Sequence, residues 1–483
     1  MPFFIKVEEG KHEKTICSRF SPVKFIVNVK ADWWKTLVTV LVVACLSLSA
    51  SSQQNKIQET ADTKSSTQSK AAHVVLITIS GLGADLFQKS PESLPFLHAQ
   101  AHKGATCYTV EGVYPTQSFP TLATLATGLL PADHGIMFSP EQPIGLPDAL
   151  LTPNVLKQQP IWEALKQYNL TTALIGLPFS KQNSGWEMDS TQSQSSKDVA
   201  KNSPASSKPV PEKLMEQDQL HVQQALTQWQ TARPNLLWVH FSSLEESQLL
   251  YGTSSKETKR VLEKLEICIK QLIEEIEKGR NTVGATFLII GDHGMIAADQ
   301  QFNPNVALAQ KGWLSTNDAG EITEWKAMAK SDGGATAIYV KNQADEKAVE
   351  KLFNELYEKP DSPIWRIVTR QEISRLGADS KAAFFLDAAP GYQMGMPAKG
   401  RLVTRAKSIM ASGYLPQRSE MRGVWLAFGK DIKVGVKLEY VRLIDAPPTI
   451  THLFRIKSKT FRGRVLSEII TPDASKVSDR SDK

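Results

Sequence analysis

An α/β fold with a mostly parallel central sheet, helices on both of its faces and a smaller inserted cap region is predicted by three observations. Short runs of consecutive apolar residues alternate with amphipathic stretches between residues 73 and 470. The runs lack the in–out alternation of a half-exposed sheet, so both of their faces must be covered. Several stop abruptly at small or polar residues, as strands do where a parallel sheet passes into the loops at its carboxyl edge.

Residues 74–80 (VVLITIS) read as the first buried strand, closed by Gly81. Residues 160–168 (PIWEALKQY) read as a helix and 171–176 as the next strand. Residues 235–240 (NLLWVH) form another strand. Residues 256–278 form a long helix, because Val261, Leu262, Leu265, Ile269, Leu272, Ile273 and Ile276 recur at helical spacing and Gly279 offers a C-cap. Residues 286–290 (TFLII) form a strand that ends in Gly291-Asp292-His293-Gly294, and 424–428 (VWLAF) a late strand.

The 483 residues, 41% hydrophobic and 22% charged, suffice for one large α/β domain or two smaller ones. The net charge of +6 is uneven. Residues 1–35 hold seven basic and four acidic side chains, half of the whole excess. That placement points to membrane orientation, and with no basic run interleaved with aromatics in the body of the chain, no nucleic-acid partner is expected. Residues 36–50 (TLVTVLVVACLSLSA) carry no charge and are short for a membrane span. They read as a cleaved signal or a single anchor, with lipidation at Cys45 as the other option. Either way the folded part is expected outside the cytoplasm, associated with a membrane through this segment. Residues 51–72 read as a flexible linker, 182–211 as a flexible insertion and 471–483 as a disordered tail. Cys17, Cys107 and Cys268 make no CxxC or disulfide pattern, and Cys268 reads as a small core residue.

Three segments carry polar groups at predicted strand ends or just beyond them. In Pro115-Thr116-Gln117-Ser118-Phe119-Pro120, Pro120 suits a first helical turn and sets Ser118 at a helix N-terminus, where amides and dipole favour negative charge. A serine there serves either as a helix cap or as a nucleophile. Asp292 and His293 follow a buried strand, so carboxylate and imidazole can face one ion or close a hydrogen-bonded turn. Ser80-Gly81 is a tight turn that brings a side chain to the same edge.

In this order the segments resemble the type I phosphodiesterase/nucleotide pyrophosphatase branch of the alkaline phosphatase superfamily. The resemblance runs from about His73 to Ile456 and is carried by VEGVYPTQSFPTLATLATGLLPADHGI (110–136), FLIIGDHGM (287–295), WKAMAKSDGGATAIYV (325–340), FFLDAAPGYQMG (384–395) and SGYLPQRSEMRGVWLAFG (412–429). It implies two zinc ions held by six side chains and bridged by a Ser or Thr nucleophile. Carried over position by position, it makes Ser118 the nucleophile and Asp292 and His293 retained ligands. Glu245 stands where the family has Asp, and Ser80, Leu249 and Ser412 stand where it has an Asp and two His. His134 matches a position outside the metal set and reads as a structural, hydrogen-bonded histidine.

Leucine offers zinc no donor and a neutral serine hydroxyl is a poor one. No resident cofactor is therefore expected, or one zinc ion at most. A two-metal displacement needs one ion at the attacking oxygen and another at the leaving oxygen. Three readings follow: a pseudoenzyme whose cleft is empty or holds a phosphate-containing small molecule, a hydrolase using Ser118 with one metal on Asp292 and His293, and a metal-free transferase. The pseudoenzyme is preferred because the substitutions fall at ligand positions while Gly81, Pro115, Phe119-Pro120 and Gly294 keep the turns around them.

Overall fold

A computed structural model describes residues 72–138, 156, 158–182, 185–188, 211–278, 284–456 and 461–472, with the short pieces 8–9 and 12–13. The chain divides into two units, Met1–Lys70 and Ala71–Lys483. In the first, Glu8–Glu9 pairs antiparallel with His12–Glu13. The leader apart from those residues, the apolar stretch 36–50, the linker up to residue 71, residues 189–210 of the insertion and the tail from 473 lie outside the described residues. Among the described residues no helix is long and apolar enough to cross a membrane.

The second unit is built on an eight-stranded sheet. Its strands are Val74–Ile79 (β1), Ala105–Glu111 (β2), Thr172–Ile175 (β3), Leu236–Phe241 (β4) and Thr286–Gly291 (β5). An inserted region described below supplies β6 to β9, and Gly423–Gly429 (β10), Val436–Lys437 (β11) and Val441–Arg442 (β12) complete the sheet. The order is β11-β2-β10-β5-β1-β4-β3, with β12 also on β2. Only β10 runs against its neighbours. The mostly parallel sheet expected from the continuous apolar runs is therefore present.

Those runs are continuous because successive side chains serve two cores. Val74 and Leu76 of β1 pack on one face with Trp238, Leu288, Leu125 and Trp162. Val75 and Ile77 pack on the other with Val239, Ile289, Leu265 and Leu272. Each fully buried Leu or Ile contributes about 1.5–3 kcal/mol of transfer free energy, which offsets the entropy of ordering the chain.

The first face is covered by Ser118–Thr127 (α3), Ile161–Lys166 (α4) and Ala446–Leu453 (α9). The second is covered by Ala84–Lys89 (α1), Pro95–His102 (α2), Pro211–Ala232 (α5) and Lys256–Glu277 (α7). The α7 stripe is buried as its spacing requires. Its N-cap is Ser255, whose hydroxyl accepts from Thr258 N at 3.0 Å. The helix closes at Lys278, while the expected cap Gly279 lies outside the described residues. Cys268 is buried in the same core, as expected. Glu266, also on α7, accepts from Phe96 N and from Leu97 N at 3.2 Å, satisfying amides at the start of α2 that Leu94 has no side chain to cap.

Between β5 and β10 the chain makes a second, four-stranded antiparallel sheet from Ala327–Asp332 (β6), Ala335–Val340 (β7), Ile364–Val368 (β8) and Phe384–Ala388 (β9), in the order β6-β7-β9-β8. Glu346–Tyr357 (α8) buries Val349, Leu352, Phe353 and Leu356 in its core. The Arg418 guanidinium is bonded to Asp387 and to the Ala388 carbonyl, tying β9 to the segment that leads into β10. Burial still pushes the Asp387 carboxyl up to about 7, against the lowering effect of Arg418.

Candidate active site

Five elements end at the carboxyl edge of the parallel strands and converge there, where a sheet of this kind presents its chemistry. The turn after β1 supplies Ser80, anchored by its amide to the Phe241 carbonyl at 2.9 Å. The turn after β5 supplies Asp292 and His293. The helix Ser243–Tyr251 (α6), directly after β4, supplies Glu245. The N-terminus of α3 supplies Ser118, and the segment after Met410–Ala411 supplies Ser412.

Ser118 is not a helix cap. Its helix has Gln117 at the cap position with no side-chain cap bond. Its hydroxyl instead lies 2.8 Å from Ser80 Oγ, 2.8 Å from Glu245 Oε2, 2.9 Å from Asp292 Oδ2 and 3.0 Å from His293 Nε2. A hydroxyl has one proton, so it donates to one of these carboxylates and accepts from other neighbours. His293 Nδ1 is 3.0 Å from the Gly294 carbonyl, which only accepts, so Nδ1 carries a proton. Nε2 then either offers its lone pair to Ser118 or carries a second proton towards Glu245 Oε1 and Asp292 Oδ1, each 3.5 Å away. Asp292 is fixed by Ser80 Oγ at 3.1 Å and by the Gly81 amide at 2.9 Å. Ser412 Oγ lies 3.4 Å from Glu245 Oε1 and 3.2 Å from Gln117 Oε1.

Burial dominates the electrostatics. It pushes the Glu245 carboxyl above the usual carboxylate range, with His293 pulling the other way. Burial alone would depress His293, but Asp292, Glu245 and the Gly294 carbonyl together hold it above the ordinary imidazole value. Behind the site, His240 is pushed down to about 4 by burial and is therefore neutral near pH 7; it lies 3.0 Å from Thr78 Oγ1. The cluster thus contains two carboxylates and at most one imidazolium. A phosphate oxygen about 4 Å from either carboxylate meets like-charge repulsion on the order of 4 kcal/mol at an effective dielectric of 20.

The donor set does not fit a pair of zinc ions. Ser80 and Ser412, at two implied ligand positions, spend their hydroxyls on Asp292, Glu245 and Gln117. Leu249 brings only hydrocarbon, and its backbone carbonyl accepts from Ile409 N at 3.2 Å. Glu245 is the only ionisable side chain left for the second ion. Among the described residues no three carboxylate, imidazole or thiolate groups are disposed to hold a metal ion. Glu245, Asp292 and His293 are turned onto Ser118 and one another.

The structure brings Ser80, Ser118, Glu245, Asp292, His293 and Ser412 into one cluster and leaves His134 outside it. His134 Nδ1 accepts from Ile136 N at 3.1 Å and its Nε2 lies 3.0 Å from Thr124 Oγ1, a structural role matching the expectation. Four contributions escaped sequence reasoning: the Gly81 amide, the Gly294 carbonyl, Gln117 and Gln248, whose amide donates to Gly81 O at 2.9 Å and steadies the turn. Gly81 has φ +77, and a Cβ there would lie 2.6 Å from Gln248 Nε2, so only glycine fits. A glycine directly after a strand and before a cluster of small residues was the one signal available.

Sheet order, covered faces and a hydroxyl at a helix N-terminus above the strand ends define an alkaline-phosphatase-like α/β protein. The family model for type I phosphodiesterase / nucleotide pyrophosphatase matches residues 74–415, and the chain belongs to that family. Among solved structures it is similar to murine ectonucleotide pyrophosphatase / phosphodiesterase 5, with a TM-score of 0.59 and 16% identity, over 83% of this chain and 100% of that one. The human counterpart gives 0.59 and 18% over the same shares. An inactive variant of the murine protein in complex with AMP gives 0.59 and 17%, again over 83% and 100%. At these identities the likeness concerns the fold.

Proposed function

We propose that this family member does not carry out two-zinc phosphoester hydrolysis and that its cleft is a binding site for a phosphate-containing small molecule. The observation that carries this reading is the state of the implied ligand positions. Ser80 and Ser412 are hydrogen-bond donors to the remaining carboxylates, and Leu249 has no donor at all. Losing one well-placed electrostatic contact costs about a hundred- to a thousand-fold in rate, and here most of the set is replaced. The uncharged run 36–50 supports a place outside the cytoplasm with membrane association through the N-terminal segment. No nucleic-acid partner is expected.

One observation favours a second reading. Ser118 Oγ is 3.0 Å from His293 Nε2 and in contact with two carboxylates, an arrangement able to take up its proton. A hydrolase using Ser118 as nucleophile, with one metal on Asp292 and His293, would look like this. Hydrolysis of bis(4-nitrophenyl) phosphate by wild type and Ser118→Ala separates the two. The first reading expects no turnover above buffer in either protein, whereas turnover that Ser118→Ala abolishes establishes the second.

A further inference from the structure

The cleft floor holds carboxylates, so the positive charge an anionic ligand needs must come from elsewhere. Two chain segments run out of the cleft together as an antiparallel ribbon. One begins at Asp292 and His293 and continues through Ile296–Ala297 to Gln300–Phe302; the other runs back from Ser412 through Met410–Ala411 to Val403–Arg405. Ile296 pairs with Ala411 and Gln300 with Arg405, and between them Ala298 N bonds Ile409 O at 3.0 Å and Ala406 N bonds Asp299 O at 2.7 Å. Val403–Arg405 is the edge strand of its three-stranded sheet.

This edge is unusually basic. From Ala388 to Ser419 the sequence contains no carboxylate, yet it includes Lys399, Arg401, Arg405 and Lys407 within nine residues. All four are exposed. The strand facing Val403–Arg405 presents Gln300, Gln301 and Phe302, and the residue before them, exposed Asp299, lies opposite Ala406 as the one carboxylate between residues 296 and 302. Among the described residues no carboxylate lies within ion-pair distance of these four, a state they share with other exposed lysines such as Lys311 and Lys381; the Lys399 ammonium donates to the Asn317 carbonyl. Chain geometry keeps the edge near the cleft. Lys407 is five residues from Ser412, at most about 17 Å along an extended chain, and Arg405 at most about 24 Å.

We propose that this edge is a polyanion-binding strip continuous with the cleft, and that it recognises a soluble oligophosphate through Arg405 and Lys407, with Lys399 and Arg401 extending it. The inference rests on the phosphate-ligand reading above and names what supplies the affinity. A ribbon edge with cations at intervals of two to four residues matches a flexible chain of phosphates better than a single phosphate, which one or two cations would hold weakly.

The test is binding of long-chain inorganic polyphosphate to the full chain, measured by calorimetry against Arg405→Glu/Lys407→Glu and Arg405→Gln/Lys407→Gln. Orthophosphate and vesicles of phosphatidylcholine with phosphatidylglycerol serve as alternative probes. Both side chains are exposed, so the variants keep the wild-type circular dichroism spectrum, and the Gln pair serves if charge reversal disturbs folding. Polyphosphate binding that weakens with added salt and falls by about tenfold or more in the Glu variant, less in the Gln variant, supports the strip. Equal affinity in all three proteins overturns it, as does no polyphosphate binding at all, or binding confined to orthophosphate or to the vesicles. Two bound zinc ions with phosphodiester turnover would instead sink the preceding reading, while leaving this comparison of variants intact.

Discussion

The Ser80 hydroxyl donates to Asp292 Oδ2 at 3.1 Å, the same oxygen that lies 2.9 Å from the Ser118 hydroxyl. Where the resemblance implies a second carboxylate, this chain has a donor that stabilises the first. The cluster is thereby satisfied without a cation. Ser80→Asp alone should lower stability by about 1–3 kcal/mol, because it buries a further charge beside Asp292 and removes a bond. Thermal melts in chelator would show the loss.

Restoring the full ligand pattern should reverse that penalty. The quadruple variant Ser80→Asp, Glu245→Asp, Leu249→His, Ser412→His is expected to bind zinc and to melt higher with zinc than with chelator. Wild type is expected to shift much less between the two conditions than the quadruple variant. A quadruple variant indifferent to zinc would mean that the backbone no longer places those positions for an ion.

A pH dependence follows from Asp218 on α5. Burial pushes this carboxyl up to about 8, against the lowering effect of its bond from Ser243 and with a further rise from Glu246. The folded state therefore keeps a proton that the unfolded state gives up near pH 4. Its contribution to stability is greatest at low pH and is lost as pH rises from about 4 to about 8. Asp218→Asn abolishes that slope, so the melting temperature of the variant should exceed that of wild type increasingly from pH 5 to pH 8.

The Arg418–Asp387 pair is almost fully buried, at 6% and 0% side-chain exposure. Arg418→Met leaves Asp387 without its cation and should cost about 3–5 kcal/mol. Arg418→Met combined with Asp387→Leu should recover most of that loss, since neither product carries charge. Denaturant midpoints of the three proteins measure the difference.

Much of the central sheet was legible because both its faces are buried. Residues 74–79, 236–241 and 286–291 are apolar at all but a few positions, Thr78, His240 and Thr286 among them, as expected of strands covered on both faces. Helix α7 was legible for the opposite reason, having one apolar stripe and one charged face. Helix α5 went unread. Its buried stripe Leu214, Asp218, Val222, Ala225, Trp229 has a carboxylate at its second position, which breaks the periodic apolar signal. Strand β6 (AMAKSD) has two Ala, Lys330 and Ser331 and no β-branched residue, so neither alternation nor β-branching marked it. In the site, side chains at motif positions could be placed from sequence. The Gly81 amide and the Gly294 carbonyl could not, because backbone groups leave no trace in residue type.

The central claim is that Ser80, Leu249 and Ser412 have removed the places where two divalent cations were held. Metal content measures it most directly, as zinc per chain by elemental analysis of protein purified without chelator and equilibrated with excess zinc before desalting. The account predicts no stoichiometric zinc, or a single ion on Glu245, Asp292 and His293. Two zinc ions per folded chain would contradict it.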